Sequence, residues 1–237
     1  PVNAVVIGGG TSGLEAACTL AEVGCTTFLL EKKNTLGGLA KEIAKGLIYT
    51  GIEGGYDSVA KSTAYAYPSI GVSQWEGNRS NELLRAIPGG AEYADRTYID
   101  IKASGELPML KELLRSDAGQ QAQLEQLSRD CLQYVEVLQQ VPTLDDTRCL
   151  IYACMWCPTS TYVVKRFLEN RFDRVDLRSL EALNKLFENY YWIAADVGEL
   201  YRAGYANRAR ITYEYVAGID LTTPYGIPAY GKAGNGR

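Results

Sequence analysis

The sequence contains no histidine. No Ser-His-Asp or Cys-His nucleophile can be assembled from this chain, and the His-ligated zinc centres used by many hydrolases are closed to it as well. A basic surplus is also missing. Lys and Arg number 24 against 28 Asp and Glu, a formal charge of -4, which argues against a general nucleic-acid binder with its basic face. No apolar run reaches the roughly 18 to 20 residues of a membrane span. The N-terminus lacks a basic segment ahead of its apolar run, so no secretory signal is expected. The remaining composition is ordinary for a soluble globular protein. The 237 residues allow one or two domains with enough core to fold without staples.

Cysteine is present six times, as Cys18, Cys25, Cys131, Cys149, Cys154 and Cys157. Cys154-Met-Trp-Cys157 has the C-x-x-C spacing of a thiolate metal site or redox pair. Its surroundings favour packing instead. The run from Cys149 to Trp156 is apolar all round, which predicts a buried helix with core cysteines. No metal site is expected.

Residues 2 to 39 carry a nucleotide-binding pattern. Ala4 to Ile7 reads as a short strand. Gly8-Gly9-Gly10-Thr11-Ser12-Gly13 fits G-x-G-x-x-G, a helix is predicted over Leu14 to Val23, and Thr26 to Leu30 reads as a second strand ending at Glu31. Glycines there let a backbone approach a pyrophosphate, and an acid after the second strand suits a ribose hydroxyl. With Leu36-Gly37-Gly38 added, the stretch resembles the FAD-binding start of NADH-dependent flavin oxidoreductases of the enoate reductase type. That resemblance implies Gly8, Gly10 and Gly13 at the pyrophosphate and Glu31 at the ribose. After Ala44 no further βαβ unit follows, and one such unit cannot cover both faces of its strands. The expectation is therefore a Rossmann-type fragment with no cofactor bound, FAD being the alternative.

From Glu53 to Arg79 the chain reads EGGYDSVAKSTAYAYPSIGVSQWEGNR. An acid stands at the end of an apolar segment (Leu47, Ile48, Tyr49, Ile52) and in front of two glycines. An apolar wall raises a carboxyl pKa and keeps the group protonated, as donation to a leaving glycosidic oxygen requires. Gln74 offers amide groups to a sugar, and Trp75 offers a flat apolar face. The stretch resembles phage-encoded lysozyme-like peptidoglycan hydrolases of the endolysin or tail-lysozyme kind. Their Glu-Gly-x-Tyr run and Ser-Ile-Gly-x-x-Gln-Trp-x-Gly-Asn-Arg run both have counterparts here. Weaker likeness extends over about residues 40 to 218, through Tyr93 to Thr97, Leu113-Leu114, Gly119 to Gln123, Tyr134-Val135 and Tyr205 to Arg208. The resemblance implies Glu53 as general acid, with Asp57, Ser69 and Glu76 as further catalytic residues. It implies Tyr56, Gln74, Trp75 and Arg79 as substrate-binding residues, and the peptidoglycan glycan strand as partner. One departure matters. Residues Ala60 to Pro68 contain no carboxylate where the family usually places an Asp. Either Asp57 or Glu76 substitutes for it, or one Glu makes both proton transfers, as in lytic transglycosylases.

The expected fold is α+β: a predominantly helical lysozyme-like domain with a small β lobe, preceded by the βαβ fragment. Its divisions are residues 1–39, 40–220 and a flexible Gly- and Pro-rich tail at 221–237. Helices are predicted over Ala40 to Ile52, Asn78 to Ile87, around Leu107 to Leu114, from Leu124 to Leu138, around Cys149, around Val163 to Leu168, over Ser179 to Tyr201 and over Tyr205 to Val216. The leading functional reading is a wall-degrading glycosidase acting from host cytoplasm or virion. An FAD- or NAD-binding oxidoreductase piece and an inactive wall-binding or structural protein are the alternatives.

Overall fold

A computed structural model describes residues 3–7, 20, 26–30, 38–52, 54–158, 160–194 and 202–219. Among them the chain is mostly helical, with one small antiparallel sheet and one parallel strand pair. The first strands are β1 (Asn3–Ile7) and β2 (Thr26–Leu30), paired in parallel from Asn3↔Thr26 to Ile7↔Leu30. Of the helix expected over 14–23, only Leu20 is described, and it is helical. Gly8, Gly10, Gly13, Glu31 and the segment 221–237 lie outside the described residues, as does Glu53.

Helix α1 (Gly38–Thr50) buries Ala40, Ile43, Ala44 and Leu47. It stops at Gly51, whose φ of 59° suits the left-handed turn that commonly ends a helix. The short strands β3 (Val59–Lys61) and β4 (Pro68–Ile70) pair antiparallel, Val59 opposite Ile70. Five helices follow in succession: α2 (Asn78–Ala86), α3 (Tyr98–Ala103), α4 (Leu107–Arg115), α5 (Asp117–Leu138) and α6 (Thr147–Cys154). The last are α7 (Thr161–Glu169), α8 (Leu180–Ala194) and α9 (Arg202–Ala217).

Local chemistry explains several of these boundaries. Thr97, Asp146 and Ser160 cap α3, α6 and α7, each accepting a backbone N–H with its side chain. The Asp117-Ala118-Gly119 stretch opens α5, which therefore begins ahead of the Leu124 expected from the sequence. Gly119 is needed there because an added Cβ would stand 2.3 Å from the Leu113 carbonyl oxygen. Helix α3 was not expected: six residues are too few to display an apolar period.

The chain divides into two compact units, one of residues 1–46 with 130–237 and one of residues 47–129. The first has an aromatic core. Trp156 lies 4.7 Å from Phe187 and 4.8 Å from Tyr191, centroid to centroid. Phe167 closes on Phe187 at 5.0 Å. The Arg208 guanidinium sits 4.7 Å over the Trp156 ring and donates to the Met155 carbonyl at 2.9 Å. Cys131, Cys149, Cys154 and Cys157 are buried free thiols here, and burial pushes each of them up from its ordinary pKa. The C-x-x-C pair is thus core packing, as the apolar run around it implied. In the second unit, Ile70, Val72, Trp75, Leu83, Leu84, Ile87, Ile101, Leu110, Leu114 and Leu127 form the core beneath the small sheet.

Candidate active site

The second unit joins two loops that the sequence singled out. Gly54 to Ser58 forms a tight hook. Ser58 Oγ accepts the Gly55 N–H at 3.0 Å, and the Ser58 N–H returns to the Gly55 carbonyl at 3.1 Å. The hook is tied to the end of β4, because Gly71 donates its N–H to the Ser58 carbonyl at 2.8 Å. Gly54, the residue after Glu53, lies directly on the following turn. A Cβ built on it would be 3.4 Å from the Gly71 carbonyl oxygen and 3.5 Å from Gln74 Nε2.

The turn from Gly71 to Gln74 reverses the chain so that Trp75 pairs with Ile70, through N–H···O bonds of 3.0 and 2.9 Å. Gly71 has φ +73°. Gln74 has φ 50°, a left-handed conformation that costs a non-glycine residue about 1–2 kcal/mol. Its side chain stabilises that geometry. Nε2 donates to the Gly71 carbonyl at 2.9 Å, and Oε1 and the Gln74 carbonyl both accept from Ser69 Oγ, at 3.2 and 3.1 Å.

Helix α5 supplies a residue that the sequence marked only as part of the weaker likeness of Gly119 to Gln123. Gln123 is fully buried. Its Oε1 accepts the Val72 N–H at 3.0 Å, while Nε2 donates to the Leu114 carbonyl at 2.9 Å and the Tyr56 carbonyl at 3.3 Å. One carboxamide therefore holds hook and turn together. Gln126, three residues on, donates to the Arg79 carbonyl at 3.1 Å.

The expected site residues fare differently. Tyr56, Asp57, Ser69, Gln74 and Trp75 are gathered around the hook and turn, and Glu76 and Arg79 follow directly in the chain. Trp75 is only 4% exposed, so its ring serves the core and presents no face to a sugar. The Ile70–Trp75 bridge is the cause, since directly opposed residues share a face and Ile70 faces inward. Ser69 is buried too, its hydroxyl committed to Gln74, so it does not hold a water at the surface. Gln74 uses both ends of its amide within the turn and acts as a brace. Tyr56 is half-buried, and burial raises its phenol pKa. Arg79 is exposed.

The carboxylates also separate. Asp57 pairs with Arg115, which also holds Glu112 at 2.9 Å. The hydrogen bond from Arg115 is the main cause that lowers the Asp57 pKa. Glu76 is half-buried; its backbone carbonyl accepts the Arg79 N–H at 3.2 Å, while its carboxylate has no hydrogen-bond or ion-pair partner among the described residues. Tyr65, which the sequence did not single out, is 55% exposed and lies against Gly77, where a Cβ would be 3.1 Å from its ring. An exposed aromatic on a hairpin loop has no local signature, so no signal in the sequence marked it.

Comparison with known proteins adds one finding. Residues 3–53 match the family model of pyridine nucleotide-disulphide oxidoreductases. The match covers a minority of the 237 residues and none from Gly54 onward. It agrees with a dinucleotide-binding start and does not specify an enoate reductase type. No curated protein and no solved structure matches the chain. No helix among the described residues is long and apolar enough to cross a membrane.

Proposed function

We propose that the unit of residues 47–129 cleaves the glycan strand of peptidoglycan, with Glu53 as general acid. The observation that carries this reading is the junction of hook and turn. It brings the residue following Glu53 against the braced Ser69–Gln74 corner, where a substrate-facing loop would need a rigid backing. In this reading Glu53 gives its proton to the glycosidic oxygen as the C–O bond breaks. A second group takes the proton of the attacking water. Asp57 is a poor candidate for that role, because its lone pairs are engaged by Arg115. Glu76, without such a partner, is the better base. Cleavage by the sugar's own hydroxyl is the route left if Glu76 does not serve. Tyr65 replaces Trp75 as the aromatic surface for a sugar ring.

The test is product analysis on purified Gram-positive walls. Glu53→Gln should lose about 10²- to 10⁴-fold in rate, the usual worth of general acid–base help, while keeping its thermal midpoint. Glu76→Gln should fall strongly only if products carry ordinary reducing ends. Anhydro ends with an active Glu76→Gln protein would assign the intramolecular route. A Glu53→Gln protein that lyses walls within a few-fold of the parent removes this reading.

A second reading is favoured by the family match, and it is the one with support from known proteins. Residues 3–53 would form a dinucleotide-binding segment. The register fits. Ile7 lies opposite Leu30, so Gly8 and Glu31 follow adjacent ends of parallel strands, as a grip on pyrophosphate and ribose needs. Gly8, Gly10, Gly13 and Glu31 would hold FAD or NAD, whose chemistry when bound is hydride transfer. Among the described residues no third strand joins β1 and β2, so most of a dinucleotide-binding sheet is not seen. A flavin absorption band that survives gel filtration, or saturable NAD binding lost in Glu31→Ala, would support this reading. A colourless protein that binds neither would overturn it.

A further inference from the structure

We infer that Gln123 is a positioning residue of the glycan site, an inference that rests on the reading of residues 47–129 given above. Three protein groups converge on one buried carboxamide: the Val72 N–H on one side, and the Tyr56 and Leu114 carbonyls on the other. The donors and acceptors fix its orientation, because a flipped amide would set its oxygen against two carbonyl oxygens. Tyr56 belongs to the hook three residues beyond Glu53, and Val72 belongs to the turn that Gln74 braces. Gln123 therefore sets the separation between the strand of chain that leaves the acid and the corner opposite it. The fit is close: a Cβ on Gly71 would stand 2.5 Å from Gln123 Oε1, so no side chain other than glycine's is compatible with the amide in place. A hydrophobic residue of the same length would fill the space and leave two carbonyls and an N–H without their partner. Helix α5 runs on either side of Gln123 regardless of that residue's polarity. The amide is thus a device for spacing two loops, distinct from the apolar side chains that hold the helix.

The experiment uses the full chain and soluble, peptide-stripped glycan strands from Gram-positive walls, with rates divided by the folded fraction at the assay temperature. Gln123→Met keeps length and removes all three hydrogen bonds. Its kcat should fall about tenfold or more, as expected when a reacting geometry loosens by a fraction of an ångström, with KM within about twofold of the parent. Gln123→Glu adds a signature that loss of packing would not produce. Burial and two facing carbonyls disfavour its charged form, so at low pH the protonated acid donates one hydrogen bond and still accepts from Val72. Its rate relative to the parent should be within about threefold near pH 5 and drop about tenfold by pH 8, as the carboxyl ionises. If the Glu variant does not fold, the Met variant decides alone. A Met variant with the parent's kcat, or a loss that merely follows the folded fraction, overturns the positioning role while the glycan reading stands. A parent chain that releases no sugar ends from the strands overturns both.

Discussion

Around Trp156, which stands in the turn after α6, rings from α7 and α8 join it at 4.7 to 5.0 Å with few directional bonds among them. Around Gln74, directional bonds are dense: a hydroxyl bridging to the turn, a carboxamide across three backbone groups, and glycines where a side chain would collide. The first region takes its stability from area removed from water, which is insensitive to small rotations. The second also buries Ile70, Val72 and Trp75, and adds bonds that depend on geometry at the level of tenths of an ångström. A substitution that conserves volume should be mild in the first and severe in the second. That contrast suits a division of labour in which one region keeps the chain folded and the other keeps a working surface in shape.

The largest effect is expected at the aromatic core. Trp156→Ala removes the ring that Phe187, Tyr191 and Arg208 share, and should cost about 3–5 kcal/mol by denaturant titration. Trp156→Phe should recover much of that. If both lose equally, the core is held by specific contacts and the contrast is misdrawn.

A middle-sized effect sharpens the other side. Gly71 and Gly105 have nearly the same backbone, φ +73° and +75°. A Cβ on Gly105 meets open space, whereas on Gly71 it meets Gln123 and the Trp75 ring. Gly105→Ala should therefore cost only the left-handed strain, about 1–2 kcal/mol. Gly71→Ala should cost more and should also slow glycan cleavage. Equal costs with equal activity would mean that the hook and turn tolerate displacement.

The smallest effect concerns acid. Asp57, Glu106 and Asp145 all have pKa values lowered in the folded chain, chiefly by hydrogen bonds from Arg115, Arg96 and Arg178 respectively. A folded-state value below the unfolded one adds stability that is present above the unfolded pKa and lost as pH falls through the folded one. With unfolded carboxyls near about 4, the thermal midpoint should carry the full help of these pairs between pH 5 and 7, with little slope there, and should lose that help progressively below about pH 4. The Asp57–Arg115 and Asp145–Arg178 pairs are solvent-exposed and the Glu106–Arg96 pair is half-buried, so 1 M salt should erase most of the contribution of the first two and less of the third. Arg115→Met should soften the acid limb slightly.

The helices of the 130–219 region were legible because their period is local: Leu183, Leu186 and Phe187 mark α8 without help from elsewhere. The strands β1 and β2 were legible as short β-branched and apolar runs before a glycine turn and an acid. Their parallel pairing was implied by the strand–helix–strand order. The site was legible as a stretch and not as an arrangement. Trp75 looked available because a motif does not say which way a ring turns; the bridge to Ile70 turns it inward. Asp57 looked like a spare carboxylate because its partner, Arg115, lies 58 positions away. Gln123 was given no role for the same reason, since its hydrogen bonds reach back 51 and 67 positions. Sequence periodicity reports faces of elements, and none of these three facts is a property of a face.

The buried thiols give the molecule an internal clock. Cys131, Cys154 and Cys157 are almost wholly enclosed and held far from the thiolate form, and Cys149 is pushed up to about 12. An alkylating or disulfide reagent reacts with thiolate, so each of these sulfurs is silent until its surroundings part. In a chain with Cys18→Ser and Cys25→Ser, the rate at which the four remaining thiols become labelled would read the frequency of opening in the helical region. All four are enclosed in the folded chain, so all four should label far more slowly than in denaturant.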